Sequence, residues 1–169
     1  GLAICHQWMN SPGVEPDDAV DNEVVMSGPY LRLHLHLVWA TWDRLPLITP
    51  EVEAGLYAAL AQKAREFSCI PIAIGGVADH VHILLRLPAT ISVAAVVKDL
   101  KGSTSHLVSH AIRPGSAFKW QGSYGALTVS PADVASAQRY IAKQKEHHAS
   151  NRLIADWEQT FLDDAGPAG

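Results

Sequence analysis

Ile70-Pro71-Ile72-Ala73-Ile74-Gly75-Gly76, a Val77-Ala78-Asp79 link, then His80-Val81-His82-Ile83-Leu84-Leu85-Arg86-Leu87 is the stretch that decides the fold. Two runs rich in apolar and β-branched residues are joined by a short connection. That pattern predicts an antiparallel hairpin. Within the second run His80 and His82 stand at i and i+2, on one face of a strand, while Val81 turns to the other face and into the core.

Working outward, Leu31, Leu33, Leu35 and Leu37 alternate with Arg32, His34 and His36, a period of two that predicts a further strand. Between it and the hairpin, Thr49-Pro50-Glu51 marks a helix start, with Thr as N-cap and Pro at the first helical position. Leu56, Leu60, Ala64 and Phe67 then recur at helical spacing. Beyond the hairpin, Ser92 opens a second helix carrying Val93, Val96, Val97 and Leu100, running on or restarting towards His110. Arg113-Pro114-Gly115-Ser116 reads as a loop, and Ala126-Leu127-Thr128-Val129 as the last strand. Ser130-Pro131-Ala132-Asp133 has the form of a capping box, so a third helix is expected from Pro131 to about His148, carrying Tyr140. The order β-α-β-β-α-β-α gives an α+β fold class: a ferredoxin-like split βαβ antiparallel sheet with helices on one face, plus a C-terminal tyrosine-bearing helix.

The chain has 169 residues and a formal charge of −4, which taken whole argues against a nucleic-acid binder. The charge is unevenly distributed. Residues 1–29 carry five acids and no Lys or Arg, and residues 153–169 carry four acids and no Lys or Arg, so all 13 bases fall in residues 30–152. The expected organisation is therefore an acidic flexible extension at 1–29, a mildly basic domain at 30–152 and an acidic tail at 153–169. The tails could be disordered, could pack against the dimer, or could shield the DNA groove when DNA is absent. No apolar run is long enough for a membrane helix, and no secretory signal is visible, so a cytoplasmic location and no membrane partner are expected. Cys5 and Cys69 are too few for a disulfide framework, and Cys69 reads as a buried free thiol.

Two H-x-H pairs compete for attention, His34/His36 and His80/His82, and pattern alone does not rank them. In a split βαβ plan the first and third strands are neighbours, so the pairs could lie close together. Two neutral imidazoles side by side make half of a divalent-metal site. On the last helix Tyr140 and Gln144 stand at i and i+4, on one face. Tyr can serve as a covalent nucleophile, and a Gln carbonyl is a hard ligand suited to Mg²⁺ or Mn²⁺.

Asp79-His80-Val81-His82-Ile83-Leu84-Leu85 resembles the His-hydrophobic-His motif of the IS200/IS605-type single-tyrosine transposases. Tyr124-Gly125-Ala126-Leu127-Thr128-Val129-Ser130 leading into Arg139-Tyr140-Ile141-Ala142-Lys143-Gln144-Lys145-Glu146-His147-His148 resembles their tyrosine-helix block. Leu37-Val38-Trp39-Ala40-Thr41 and Lys98-Asp99-Leu100-Lys101-Gly102-Ser103 also resemble family segments. The resemblance covers roughly residues 30–150, and its specificity lies in the ordered set.

It implies that Tyr140 attacks a phosphodiester in single-stranded DNA to give a 5′-phosphotyrosine. It implies that His80, His82 and Gln144 hold a divalent metal, Mg²⁺ or Mn²⁺, with His34/His36 as bystanders. It implies substrate DNA with hairpin ends, and a homodimer with exchanged tyrosine helices. Lys98, Lys101, Lys119, Arg139 and Lys143 are candidate phosphate contacts, and Trp120 or Tyr124 could stack on an unpaired base. Two other readings stay open: an HUH nicking endonuclease of another type, and a domesticated DNA-binding relative without catalysis. The intact set of His80, His82, Tyr140 and Gln144 speaks against the last.

Overall fold

The computed structural model describes residues 30–160. Contacts divide the chain into two units, Gly1–Tyr30 and Leu31–Gly169, and every strand and helix described lies in the second. The flexible extension expected at 1–29 lies outside the described residues.

A four-stranded antiparallel sheet forms the centre, with strand order β2-β3-β1-β4. The strands are β1 (Leu33–Ala40), β2 (Ile70–Val77), β3 (His80–Leu87) and β4 (Gly125–Val129). β2 and β3 form the expected hairpin around a two-residue Ala78-Asp79 turn, whose carbonyls accept from the amides of Ile48 (2.9 Å) and Thr41 (2.8 Å). β1 and β3 are the two central strands. From His36 in β1, and at every residue of β3 except Arg86, they are buried.

The alternation sorts residues onto two faces. Leu37 and Trp39 of β1 and Val81, Ile83 and Leu85 of β3 point into the main core. That core is covered by α1 (Pro50–Glu66), which contributes Val52, Leu56, Leu60 and Ala64. It is also covered by α2 (Val93–Leu107), which contributes Val96, Val97 and Leu100. Ser92 caps α2 as expected, its hydroxyl accepting from the Ala95 amide at 3.2 Å. The helix then runs on through a π-type turn, Val108–Ile112. Cys69 is a free, buried thiol.

The opposite face carries His36, Val38, His80, His82 and Leu84. It is covered by α3 (Val134–Ala142), α4 (Gln144–Ala149) and α5 (Ala155–Glu158), around a smaller cluster of Leu84, Val129, Ala137, Tyr140 and Ile141. The split βαβ plan is as expected, with α1 and α2 on one face and the tyrosine-bearing helix on the other.

Two expectations need correction. The third helix begins at Val134 rather than Pro131. The Ser130 hydroxyl donates to the Asp133 carboxylate at 2.6 Å, so it does not cap a helical amide, and residues 131–133 form a turn. The helix is also not continuous to His148. Lys143, at φ −108° and ψ 19°, breaks it, so Tyr140 lies in the last turn of one helix and Gln144 begins the next. The segment set apart as an acidic tail from Leu153 is, as far as Thr160, laid against the same face of the sheet: Trp157 packs on the smaller cluster and Thr160 is buried.

One row across the sheet explains how these elements approach so closely: Gly125, Val38, His82 and Gly75 are successive partners. A Cβ on Gly75 would collide with the Ile141 carbonyl oxygen, and one on Gly125 with that of Gln159. Glycine on either side of His82 therefore lets the backbone of α3 and of the C-terminal segment rest directly on the strands. Gly75→Ala is expected to push α3 off the sheet and cost about 2 kcal/mol, within the range of overpacked cores. This would appear as a drop of roughly 5–10 °C in Tm by thermal melting.

Candidate active site

The site grows from the central strands. His80 and His82 are essentially fully buried, a setting that disfavours the charged imidazolium unless partners offset it. Each ring is held through its Nδ1. His80 Nδ1 donates to Asp79 Oδ1 at 2.7 Å, and Asp79 is itself braced by Arg44 at 3.4 Å. His82 Nδ1 lies 2.9 Å from His36 Nε2, and the two rings stack at 5.0 Å. These contacts turn both Nε2 atoms towards one point above the sheet.

Tyr140 and Gln144 reach that point from α3 and α4 despite the break at Lys143. The Tyr140 ring sits edge-on to His82 at 6.2 Å between centroids, and His147 stacks on its other side at 4.7 Å. At the point of convergence lies a carboxylate, that of Glu158 on α5. Its Oε1 accepts from the Tyr140 phenol at 2.5 Å and from the Gln144 amide nitrogen at 3.3 Å. Its Oε2 lies 3.1 Å from His80 Nε2, 3.4 Å from His82 Nε2 and 3.5 Å from His148 Nε2.

The electrostatics follow this arrangement. Burial raises the Glu158 pKa, but its contacts with His80, His82 and Tyr140 outweigh that and hold the carboxyl well below the usual carboxylate range. Burial lowers the His80 pKa, yet Asp79 and Glu158 together bring it above the ordinary histidine value. His82 is pushed down, first by burial, with Glu158 opposing. Burial and the neighbouring His82 lower His36 to about 3, so its ring is neutral at physiological pH. Burial and the hydrogen bond to Glu158 raise the Tyr140 phenol.

His80 Nε2, His82 Nε2 and Gln144 Oε1 are buried atoms without a hydrogen-bond partner. The two nitrogens approach Glu158 Oε2 closely but without hydrogen-bond geometry. Buried polar atoms left in this way are costly unless something binds them. Two imidazole nitrogens turned to one point, with the Gln144 amide beside them, make a donor set that fits a divalent cation. For Nε2 of each ring to offer its lone pair, Nδ1 must carry the proton. Asp79 and the neutral His36 are the acceptors that fix this tautomer.

His36 is therefore in direct contact with His82, whereas the sequence reading sets it apart from that pair. His34 is half-buried near the start of β1, four residues from that row, paired with Val129 and Arg86. Asp79 is legible in sequence as the residue before the first histidine. Nothing in the local pattern marks His148 or Glu158.

The candidate DNA contacts are scattered. Arg139 and Lys143 are exposed on the outer side of α3 and at its end, bonded to Ser136 at 3.0 Å and Glu146 at 3.3 Å. Lys119 lies over the exposed Trp42 ring, 3.5 Å from its centroid. Lys98 and Lys101 are on α2, across the sheet from the histidines. Lys98 is exposed, whereas Lys101 already donates to the carbonyls of Gly122 (3.1 Å) and Ser123 (3.0 Å). Trp120 is not available to stack on a base. It is buried, edge-on to Trp39 and Phe118, and its indole donates to Thr104 at 3.1 Å. Tyr124 packs against the main core.

Comparison with known proteins agrees with this geometry. Residues 30–144 match the family model described as IS200-like transposase. The chain is 31% identical over 124 residues to the ISDra2 transposase TnpA of Deinococcus radiodurans, covering 70% of this chain and 89% of that protein. A crystal structure of a candidate transposase from Deinococcus radiodurans R1 superposes with a TM-score of 0.55 at 32% identity, covering 69% of this chain and 94% of that one. A REP-associated tyrosine transposase bound to a REP hairpin shares the fold, with a TM-score of 0.55 at 16% identity, over 82% of this chain and 93% of that one.

The tautomer argument has a direct consequence. His36→Ala should weaken Mn²⁺ binding by roughly 10–100-fold, the usual cost of losing a residue that orients a ligand. Isothermal titration of Mn²⁺ into wild-type and variant protein checks this, and His36→Asn, which keeps an acceptor, should recover part of the loss.

Proposed function

The chain belongs to the IS200-like transposase family, and from this premise we propose that it cleaves and rejoins single-stranded DNA through a covalent bond to Tyr140. The observation that carries the proposal is the meeting of the Tyr140 phenol with His80, His82 and Gln144 at one point, built from separate elements of the fold. The Tyr140 oxygen attacks the scissile phosphorus and loses its proton as the new P–O bond forms. The P–O3′ bond breaks and the leaving oxygen takes up a proton, leaving a 5′-phosphotyrosine and a free 3′-OH. Rejoining is the reverse, with another 3′-OH displacing the tyrosine. Because the covalent link conserves the phosphodiester energy, no nucleotide hydrolysis is required, and the sequence holds no G-x-x-x-x-G-K-[ST] motif.

His80, His82 and Gln144 would hold the divalent ion, Mg²⁺ or Mn²⁺. Bound there, the ion would supply polarisation of the phosphate and offset the charge that develops on the phosphate oxygens. Asp79 and His36 keep the two imidazoles in the tautomer and direction this needs. His147, stacked on Tyr140, holds the phenol over the sheet. Arg139 and Lys143, exposed beside Tyr140, are the cations best placed for the DNA backbone, followed by Lys119 with Trp42. Lys98 and Lys101 lie on the far face and would serve only a DNA element that wraps the domain. What supports a hairpin-bearing substrate is that a tyrosine transposase of the same fold is bound to a REP hairpin. Among the described residues no helix is long and apolar enough to cross a membrane.

Incubation with hairpin-flanked single-stranded DNA and Mn²⁺ should give a covalent adduct on a denaturing gel with the wild type and none with Tyr140→Phe. An adduct that survives this substitution would remove Tyr140 from the role. A homodimer with tyrosine helices exchanged through the Ser130-Pro131 link belongs to the same proposal, although within one chain Tyr140 already reaches its own His82. Mixing His80→Ala with Tyr140→Phe chains tests it. Exchange restores the adduct in the mixture, and its continued absence would show that each chain works alone.

A further inference from the structure

We propose that Ile154–Thr160 is a strap that closes the active site in the DNA-free protein. Its Glu158 carboxylate acts there as an exchangeable ligand of the divalent ion and holds the place the scissile phosphate takes. The inference rests on the function proposed above and concerns what occupies that site before DNA arrives.

Glu158 touches every group assigned to the chemistry. One oxygen accepts from the Tyr140 phenol and the Gln144 amide, and the other faces Nε2 of His80, His82 and His148 at 3.1–3.5 Å. A scissile phosphodiester needs the same environment: an anionic oxygen against the metal-facing nitrogens and another atom against the tyrosine oxygen. A carboxylate set among these ligands meets a hard divalent cation's preference for charged oxygen. Two anions in the same few ångströms repel strongly in a buried setting, so carboxylate and phosphate exclude one another.

The strap is built to sit there. The Ile154 amide donates to the Tyr140 oxygen at 3.2 Å. Trp157 lies edge-on to both Tyr140 (4.9 Å) and His36 (5.4 Å). The Gln159 carbonyl occupies the space left by the missing Cβ of Gly125, and Thr160 is buried. It is also built to leave. α5 is a single turn with no fully buried residue, and Leu153 and Ile154 on the approach are exposed. Little apolar surface beyond Trp157 resists its release.

The test uses the full chain in two assays. Mn²⁺ affinity is measured by isothermal titration. Binding of a short single-stranded oligonucleotide is measured by fluorescence anisotropy in EDTA, which prevents covalent capture while keeping the Tyr140 contacts of the strap. Glu158→Gln keeps the shape and the acceptor for the tyrosine while removing the charge. Trp157→Ala loosens the strap and leaves the net charge unchanged. Both variants should weaken Mn²⁺ binding, Glu158→Gln by about tenfold or more, in line with the loss of a ligand or its support. Both should tighten oligonucleotide binding several-fold. These opposite shifts are what a shared, exchangeable carboxylate requires.

Unchanged Mn²⁺ affinity in Glu158→Gln, or DNA affinity that does not rise in Trp157→Ala, would overturn the proposal. If wild-type protein binds no Mn²⁺, or binds it equally well after His80→Ala, the assignment of the metal site itself fails. That result is distinct from a failure confined to the strap.

Discussion

The antiparallel register of β1 on β3 is the constraint on which the rest depends. It sets Val38 opposite His82 and Ala40 opposite His80, so alternate residues of the two central strands face either the main core or the chemistry. A slip of one residue would turn the histidines into the core and the leucines onto the site. The same register brings His36 beside His82, and it aligns Gly75 and Gly125 on either side of that row. Polar groups in the middle of a sheet are costly unless satisfied. Here each imidazole has one nitrogen satisfied by a neighbour on or beside the strands, which leaves the other committed to whatever sits above them.

The two faces of the sheet divide the labour. α1 and α2 cover a broad apolar surface built from long side chains, and this is where stability resides. The other face carries a small cluster in which Tyr140 itself is a packing residue. Its covering elements are short and interrupted, and their backbones rest on glycines rather than interlocking through side chains. Segments held in this way open at lower free energy than the core beneath them. A transposase that must admit DNA to a buried site gains from that asymmetry: rigid strands to aim the histidines, and a loosely held cover to uncover them.

Much of this is legible in the sequence because it rests on local periodicity. The leucine alternation around His34 and His36 and the Ile70–Leu87 hairpin carry period two openly, and Ser92 marks the start of α2. The break at Lys143 is not legible, since neither Gly nor Pro stands there and the local composition favours a helix. The displaced start of α3 arises because the Ser130 hydroxyl finds the Asp133 carboxylate before it finds an amide. Of the site, His80, His82, Tyr140 and Gln144 can be named from the ordered motifs. His36 looks like a competitor to His82, although it is its partner, because sequence shows that two strands alternate but not which residues face each other. Trp120 reads as an exposed base-stacking ring because aromatic residues near lysines look alike in sequence whether they line a groove or fill a core.

Glu158 shows most clearly where reading charge along the chain reaches its limit. In sequence it belongs to an acidic C-terminal segment whose net charge invites a long-range account, a diffuse repulsion of DNA screened over about 10 Å at 0.1 M salt. In the folded chain one of those acids is withdrawn from solvent and set against three imidazoles and a phenol. There its interactions are short, largely unscreened and specific to those atoms. The overall charge of −4 then says little about DNA binding. What bears on the proposed site is local: the exposed Arg139 and Lys143 beside Tyr140, and one carboxylate whose place is fixed by the packing of Trp157 and the backbone contact at Gly125, not by the number of acids in the chain.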